Sequence, residues 1–164
     1  WFWTRPRATR FDETLSSLWL SAPANLCRED TEMLHGGCFC SRIRYEVTGI
    51  PFHETNCHCS MCRRTTGAPF VAWFSVRPSD FRVACGNPSH FRSSTKATRS
   101  FCGHCGTQLT FQSDDYPDEI DITTCSLDHP EAVPPRDHTH TSRKLPWVEL
   151  SDGLAQHPQA RSTG

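Results

Sequence analysis

The sequence predicts a mainly β domain of short antiparallel strands with little helix, and three observations predict it. Short runs rich in β-branched and aromatic residues recur between clusters of Gly, Pro, Asn and Asp, which is how strands and turns alternate in an all-β chain. Only one stretch carries helix signals. Apolar residues make up 36% of the 164 positions, and adding the nine glycines still leaves the total below the roughly 45–50% of ordinary globular chains. A core that thin needs reinforcement, and ten cysteines are available to supply it.

Taken in order, residues 1–32 show no apolar period and mix Trp1, Phe2 and Trp3 with several arginines and prolines. They are expected to be an N-terminal extension, either disordered or produced by a mistaken upstream start with Met33 as the true first residue. Strands are expected at residues 43–48, 70–76, 81–84, 99–102, 108–111 and 120–125. Turn signals lie at Gly49-Ile50-Pro51, Arg77-Pro78-Ser79-Asp80 and Gly86-Asn87-Pro88-Ser89. One or two helical turns are expected from Ser60 to Thr66, stopped by Gly67 at the position where a left-handed cap is needed. Residues 129–141, rich in Pro and His, read as a loop, and the chain from Gln156 onward as a frayed end. The domain thus spans residues 33–150, followed by a tail over 151–164. Phe39, Phe70, Trp73, Phe74 and Phe81 are expected in the core, as aromatics of short strands usually are.

The charge balance excludes some functions. A net charge of -1 cannot neutralise a row of phosphates, which argues against a general nucleic-acid binder. No run of about 18 apolar residues exists to span a bilayer, so no membrane partner is expected. The cysteines sit in C-x-C and C-x-x-C clusters. A disulfide between such close neighbours would be strained, whereas both thiols reach one ion easily. A metal-binding, cytoplasmic protein is the expectation, because a reducing compartment keeps thiols free.

Seven thiols fall into three clusters: Cys38-Phe39-Cys40, Cys57-His58-Cys59-Ser60-Met61-Cys62 and Cys102-Gly103-His104-Cys105. Zn²⁺ takes tetrahedral thiolate sets, so seven divide into a filled site of four and an open site of three. The third cluster, followed by Gly106, has the form of a zinc knuckle, and Cys38 with Cys40 could complete it. The middle cluster places Cys57, Cys59 and Cys62 within one turn leading into the expected helix. Its fourth position is either free or taken by a histidine, with His58, His53, His35 and His104 as candidates. A helix N-terminus beside the thiols favours thiolate, and Arg63 and Arg64 follow directly, either as counter-charges or as a solvated face. A redox role for the C-x-x-C has little support, since no βαβ pattern surrounds it. Cys27, Cys85 and Cys125 lack partners at ligand spacing and are expected to serve as small apolar residues.

The stretches GGCFCSRIRYEVTG, CHCSMCRRTTGAPF, FCGHCGTQL, SLDHPE and LPWVEL, in that order, resemble the glutathione-dependent formaldehyde-activating enzyme family, also called the centromere protein V/Gfa domain family. The resemblance covers about the whole of residues 34–150; Ser41 departs from it, where the family often has glycine. It implies an Mss4-like fold with two zinc ions, Cys38, Cys40, Cys102 and Cys105 around a structural one and Cys57, Cys59 and Cys62 around a catalytic one. The implied activity is that of a carbon–sulfur lyase joining glutathione to formaldehyde to give S-(hydroxymethyl)glutathione. A small-molecule thiol and an aldehyde are then the partners. Arg63 or Arg64 is a candidate for pairing with a glutathione carboxylate, and His138 and His140 for contacting the ligand. The alternative is a noncatalytic module with two structural zinc sites that binds a protein or metabolite.

Overall fold

A computed structural model describes residues 33–161. The extension expected over residues 1–32, Cys27 within it, and the end of the tail from 162 to 164 lie outside the described residues. Among the described residues, eleven strands and one α-helix are present: β1 (Leu34–Gly37), β2 (Arg44–Val47), β3 (Phe52–Cys57), α1 (Ser60–Thr66), β4 (Val71–Val76), β5 (Phe81–Cys85), β6 (Ser89–Ser94), β7 (Ala97–Phe101), β8 (Gln108–Ser113), β9 (Tyr116–Thr123), β10 (Asp137–Thr139) and β11 (Ala155–Gln156). The fold is therefore mainly β with one short helix.

The strands form a three-stranded sheet, β1-β2-β5, and an eight-stranded sheet, β11-β10-β3-β4-β9-β8-β7-β6. Pairing is antiparallel except at β10, which runs parallel to both β3 and β11. The alternation of side chains along β4 sends Phe74 and Val76 into one apolar cluster and Val71 and Trp73 into another. The first cluster is the main core, where Phe74, Val76, Leu109 and Ile122 meet Ile43, Tyr45 and Val47 of the small sheet's segment. Phe74, Val47 and Ile122 are wholly buried, each contributing roughly 1.5–3 kcal/mol of transfer free energy. The second cluster packs Trp73 and Val71 with Cys57 and Cys62 under α1.

α1 starts and stops as its residues dictate. Cys59 is the N-cap, its sulfur accepting the Cys62 amide, and Gly67 closes the helix at φ +68°, a conformation that costs a β-carbon. Several elements escaped the sequence reading. β1, β3 and β6 lack a clean apolar alternation, and β3 (FHETNC) is made almost wholly of polar residues. Residues 129–141 are not simply a loop: Asp137, His138 and Thr139 form β10 and all three are buried. The stretch from Gln156 is not frayed over its described part, because the His140 amide donates to the Gln159 carbonyl and the His157 amide to that of His138.

Five side chains depart from expectation. Phe39 is 92% exposed, since a C-x-C turn that points both sulfurs inward must point the residue between them outward. Phe81 is half-buried against the main core and Phe70 half-buried against His58 and His138, while Phe74 is within the main core and Trp73 within the second cluster. Cys85 and Cys125 are exposed rather than packed as small apolar residues. No helix among the described residues is long and apolar enough to cross a membrane.

Candidate metal sites and active-site cavity

Two turns bring four thiols together. Cys38 and Cys40 come from the turn after β1, Cys102 and Cys105 from the turn after β7, and their sulfurs all lie within 4.8 Å of one another. The Cys38–Cys40 and Cys40–Cys102 sulfur separations are 3.5 and 3.8 Å. A tetrahedral zinc with bonds of about 2.3 Å requires sulfurs about 3.8 Å apart, so the donor set fits that ion. Backbone donors turn toward the sulfurs, with the Ile43 amide 3.2 Å from Cys38 Sγ. Hydrogen bonds from the Thr107 hydroxyl and amide pull the Cys105 thiol down to about 5. The group joins the small sheet to the large one across 62 residues of sequence.

The second group is Cys57, at the end of β3, with Cys59 and Cys62 of α1. Crowding sets their acidity. Hydrogen bonds from Cys57 and Cys62 draw the Cys59 thiol down to about 2, and the same contacts push Cys57 far above its ordinary value. Three thiolates cannot share this space without a cation, which is the behaviour of a metal-binding donor set. Among the described residues, no histidine or carboxylate joins the three within ligand distance. His58 lies between two of the cysteines but is turned away. Its Nε2 is 2.9 Å from His138 Nδ1, and His138 Nε2 is 2.9 Å from an Asp152 carboxylate oxygen.

The three thiols open onto a cavity of about 300 Å³. Its floor is one face of the large sheet. Ser75 of β4, Asp121 of β9, Phe111 of β8 and Arg99 of β7 stand directly opposite one another on successive strands, so their side chains share that face. Trp73 of β4 lies on the same face two residues from Ser75. Met61 of α1, His140 and Arg161 complete the walls. Arg99 is only 3% exposed. Its Nη2 lies 3.8 Å from Cys62 Sγ and its guanidinium stacks over Phe111 at 4.6 Å from the ring centroid, while Nε and Nη1 have no hydrogen-bond partner. Asp121 accepts a 2.6 Å hydrogen bond from the Ser75 hydroxyl, and burial pushes its carboxyl up to about 6.

Of the residues singled out from sequence, His53, Cys57, Cys59, Cys62 and His140 line this cavity, while His58 and His138 bond each other outside its lining. Arg63 and Arg64 stand in the last turn of α1 and do not line it. The positive charge beside the thiols is that of Arg99, 37 residues from Cys62. Sequence reasoning missed both Arg99 and Asp121. No signal in the sequence marks them: Asp121 alternates with the core residues Ile120 and Ile122 as a solvent-facing residue would, and Arg99 lies in the largely polar run ATRSF.

Comparison with known proteins adds independent information. A Halomonas elongata protein, provisionally named a glutathione-dependent formaldehyde-activating enzyme, is 27% identical over 127 residues, covering 72% of this chain and 81% of its own. An uncharacterized lyase of Schizosaccharomyces pombe is 34% identical over 76 residues, which is 46% of this chain and 55% of that protein. A crystal structure of a Rhodobacter sphaeroides protein is 26% identical and covers 75% of this chain and 98% of its own, with a TM-score of 0.49. The family model described as glutathione-dependent formaldehyde-activating enzyme matches residues 33–143, the stretch that carries both thiol groups, and the chain belongs to that family.

Proposed function

We propose that this chain is a zinc-dependent carbon–sulfur lyase that joins glutathione, or a similar thiol, to formaldehyde or a related aldehyde, giving S-(hydroxymethyl)glutathione. One observation carries the reading: three thiols form a metal-binding set on the wall of a cavity, with no fourth side chain among the described residues to close it. Cys57, Cys59 and Cys62 would hold one zinc ion. Cys38, Cys40, Cys102 and Cys105 would hold the other, in a structural role. Bound at the three-thiol set, zinc supplies a Lewis acid that lets a coordinating substrate thiol lose its proton near neutral pH.

The chain's own residues do the rest. Three thiolates and one Zn²⁺ carry a net charge of about -1, and the Arg99 guanidinium 3.8 Å from Cys62 Sγ offsets it, favouring entry of a further anionic sulfur. Trp73 and Phe111 give the cavity apolar walls that exclude water from a small carbonyl carbon. Arg161, whose Nε already bonds Asp137, and His140 offer hydrogen-bond donors to a glutathione carboxylate. Arg63 and Arg64 serve in that way only for a tripeptide that extends beyond the cavity along α1.

X-ray absorption at the zinc edge, with and without glutathione, tests the reading. The expected result is two zinc ions per chain, one of which gains a sulfur neighbour when glutathione is added. Unchanged shells at both ions would overturn it and leave a noncatalytic zinc module.

A further inference from the structure

Adding a thiol to an aldehyde moves a proton as well as forming a bond, and the metal-binding sulfurs have no proton to give once they hold an ion. The thiol arrives protonated at neutral pH, with an ordinary pKa of about 8.5, and the carbonyl oxygen must finish as a hydroxyl. A group in the cavity that accepts the first proton and delivers the second completes the chemistry. Besides the three cysteines, seven titratable side chains among the described residues line the cavity. His53 and Glu119 pair with each other at 3.5 Å, and Arg99 and Arg161 carry positive charge throughout. His140 holds a left-handed backbone at φ +55°, and Tyr116 is exposed at the surface. Asp121 is different. It sits on the sheet floor, in the same cross-strand row as Arg99, the residue that reaches Cys62. Its side chain has one hydrogen bond, from Ser75, and no ion pair among the described residues.

A carboxyl in that position costs the fold stability, since burial of a charge without a cation partner is unfavourable. Asparagine would satisfy Ser75 without the charge. A polar group kept at a structural cost on a cavity floor is a candidate for the chemistry done there. On the reading of the cavity as a thiol-adding site, we propose that Asp121 is the proton relay of the reaction. The incoming S–H proton passes to the Asp121 carboxylate. The sulfur lone pair forms the C–S bond to the aldehyde carbon, and the C=O π pair moves onto oxygen. That oxygen then takes the proton from the Asp121 carboxyl, so the carboxylate is regenerated and no net proton is released. In the lyase direction the same carboxylate removes the hydroxyl proton as the C–S bond breaks.

The groups facing Asp121 set the pH at which it works. Ser75 on β4, His53 on β3 and Arg99 on β7 favour the carboxylate, while burial and Glu119 on its own strand oppose it, and the balance lies at about 6. At pH 7 the carboxylate is therefore the major form and its conjugate acid is still strong enough to protonate an alkoxide, the compromise a general acid–base group needs.

Two-dimensional exchange NMR with ¹³C-formaldehyde and glutathione measures the rate directly over pH 5–8 in the zinc-loaded protein, Asp121→Asn and Ser75→Ala. The wild-type kcat/KM should rise through a single ionisation near 6. Asp121→Asn should lose about 100-fold or more and lose that limb, with two zinc ions and the glutathione affinity retained. Ser75→Ala removes a hydrogen bond that stabilises the carboxylate, so its limb should move to higher pH; this variant keeps the test decisive if Asp121→Asn fails to fold. A wild-type limb that persists in Asp121→Asn, or does not move in Ser75→Ala, overturns the relay alone. Absence of any wild-type rate above the uncatalysed exchange overturns the proposed function and the relay with it.

Discussion

Arg99→Met removes a buried charge while keeping most of the side chain's length. Arg99 is 3% exposed, makes no carboxylate ion pair among the described residues, and brings Nη2 to 3.8 Å from Cys62 Sγ. Two unit charges about 4 Å apart attract by about 4 kcal/mol at an effective dielectric constant of about 20, and losing one partner of a buried charge pair typically costs about 2–5 kcal/mol. Taking about 2–4 kcal/mol, zinc affinity at the three-thiol group should fall by about 30- to 1,000-fold. Competition against a chromophoric chelator reads this without reference to activity. The four-thiol group, in the other apolar cluster, serves as the internal control and should keep its affinity. Arg99→Lys restores the charge without the planar group and should recover most of the loss. In the metal-free protein the sign reverses: the guanidinium leaves Nε and Nη1 buried without partners, so Arg99→Met should raise the Tm of the zinc-stripped form. Equal loss of affinity at both groups, or no rescue by lysine, would refute the electrostatic argument and leave a packing effect.

Asp121 predicts a pH-dependent stability difference. Its folded pKa, raised from 3.8 to about 6, contributes stability that is complete below the unfolded value and is lost as pH rises through 6. Asp121→Asn should therefore be more stable than wild type at pH 8 by about 1–3 kcal/mol, with the advantage shrinking toward pH 4, in urea unfolding of the zinc-loaded proteins. The same advantage at every pH would contradict it. Arg161→Ala removes a 2.6 Å hydrogen bond to buried Asp137, worth about 1.5–3 kcal/mol, and should speed hydrogen exchange at the His140 and His157 amides. Burial alone would raise the Asp137 carboxyl, but Arg161 holds it below its usual value, so acidification should loosen that segment in the wild type and should do so less in Arg161→Ala. Unaltered exchange there would count against the contact. Gly67→Ala meets nothing within 4 Å but must hold φ +68°, and a loss of about 1 kcal/mol in thermal unfolding is expected; no loss would mean that the cap is not maintained.

The parts of the molecule legible from sequence are those whose physics is local. C-x-C and C-x-x-C spacing confines two sulfurs to one turn, so the three clusters Cys38–Cys40, Cys57–Cys62 and Cys102–Cys105 are legible locally, while the meeting of the first with the third is tertiary. Gly67 marked the end of α1 for the same reason, since only a few residues decide a left-handed cap. Aromatic character alone puts Phe39 in the core, whereas the geometry of the two cysteines around it turns it to the surface. β10 was missed because Asp137, His138 and Thr139 are polar, and their burial depends on partners at positions 55–57, 152 and 161.

The residue types and their turns thus determined a mainly β chain with three cysteine clusters; they allowed a division into four sulfurs and three, which the family resemblance selected. Only the order of strands β4-β9-β8-β7 decided that Ser75, Asp121, Phe111 and Arg99 form one row under the three thiols, and that the charge beside them comes from Arg99 rather than from Arg63 or Arg64. The reason is that a strand's alternation says which side chains share its face, while register and neighbour are settled by pairing between segments far apart in the chain.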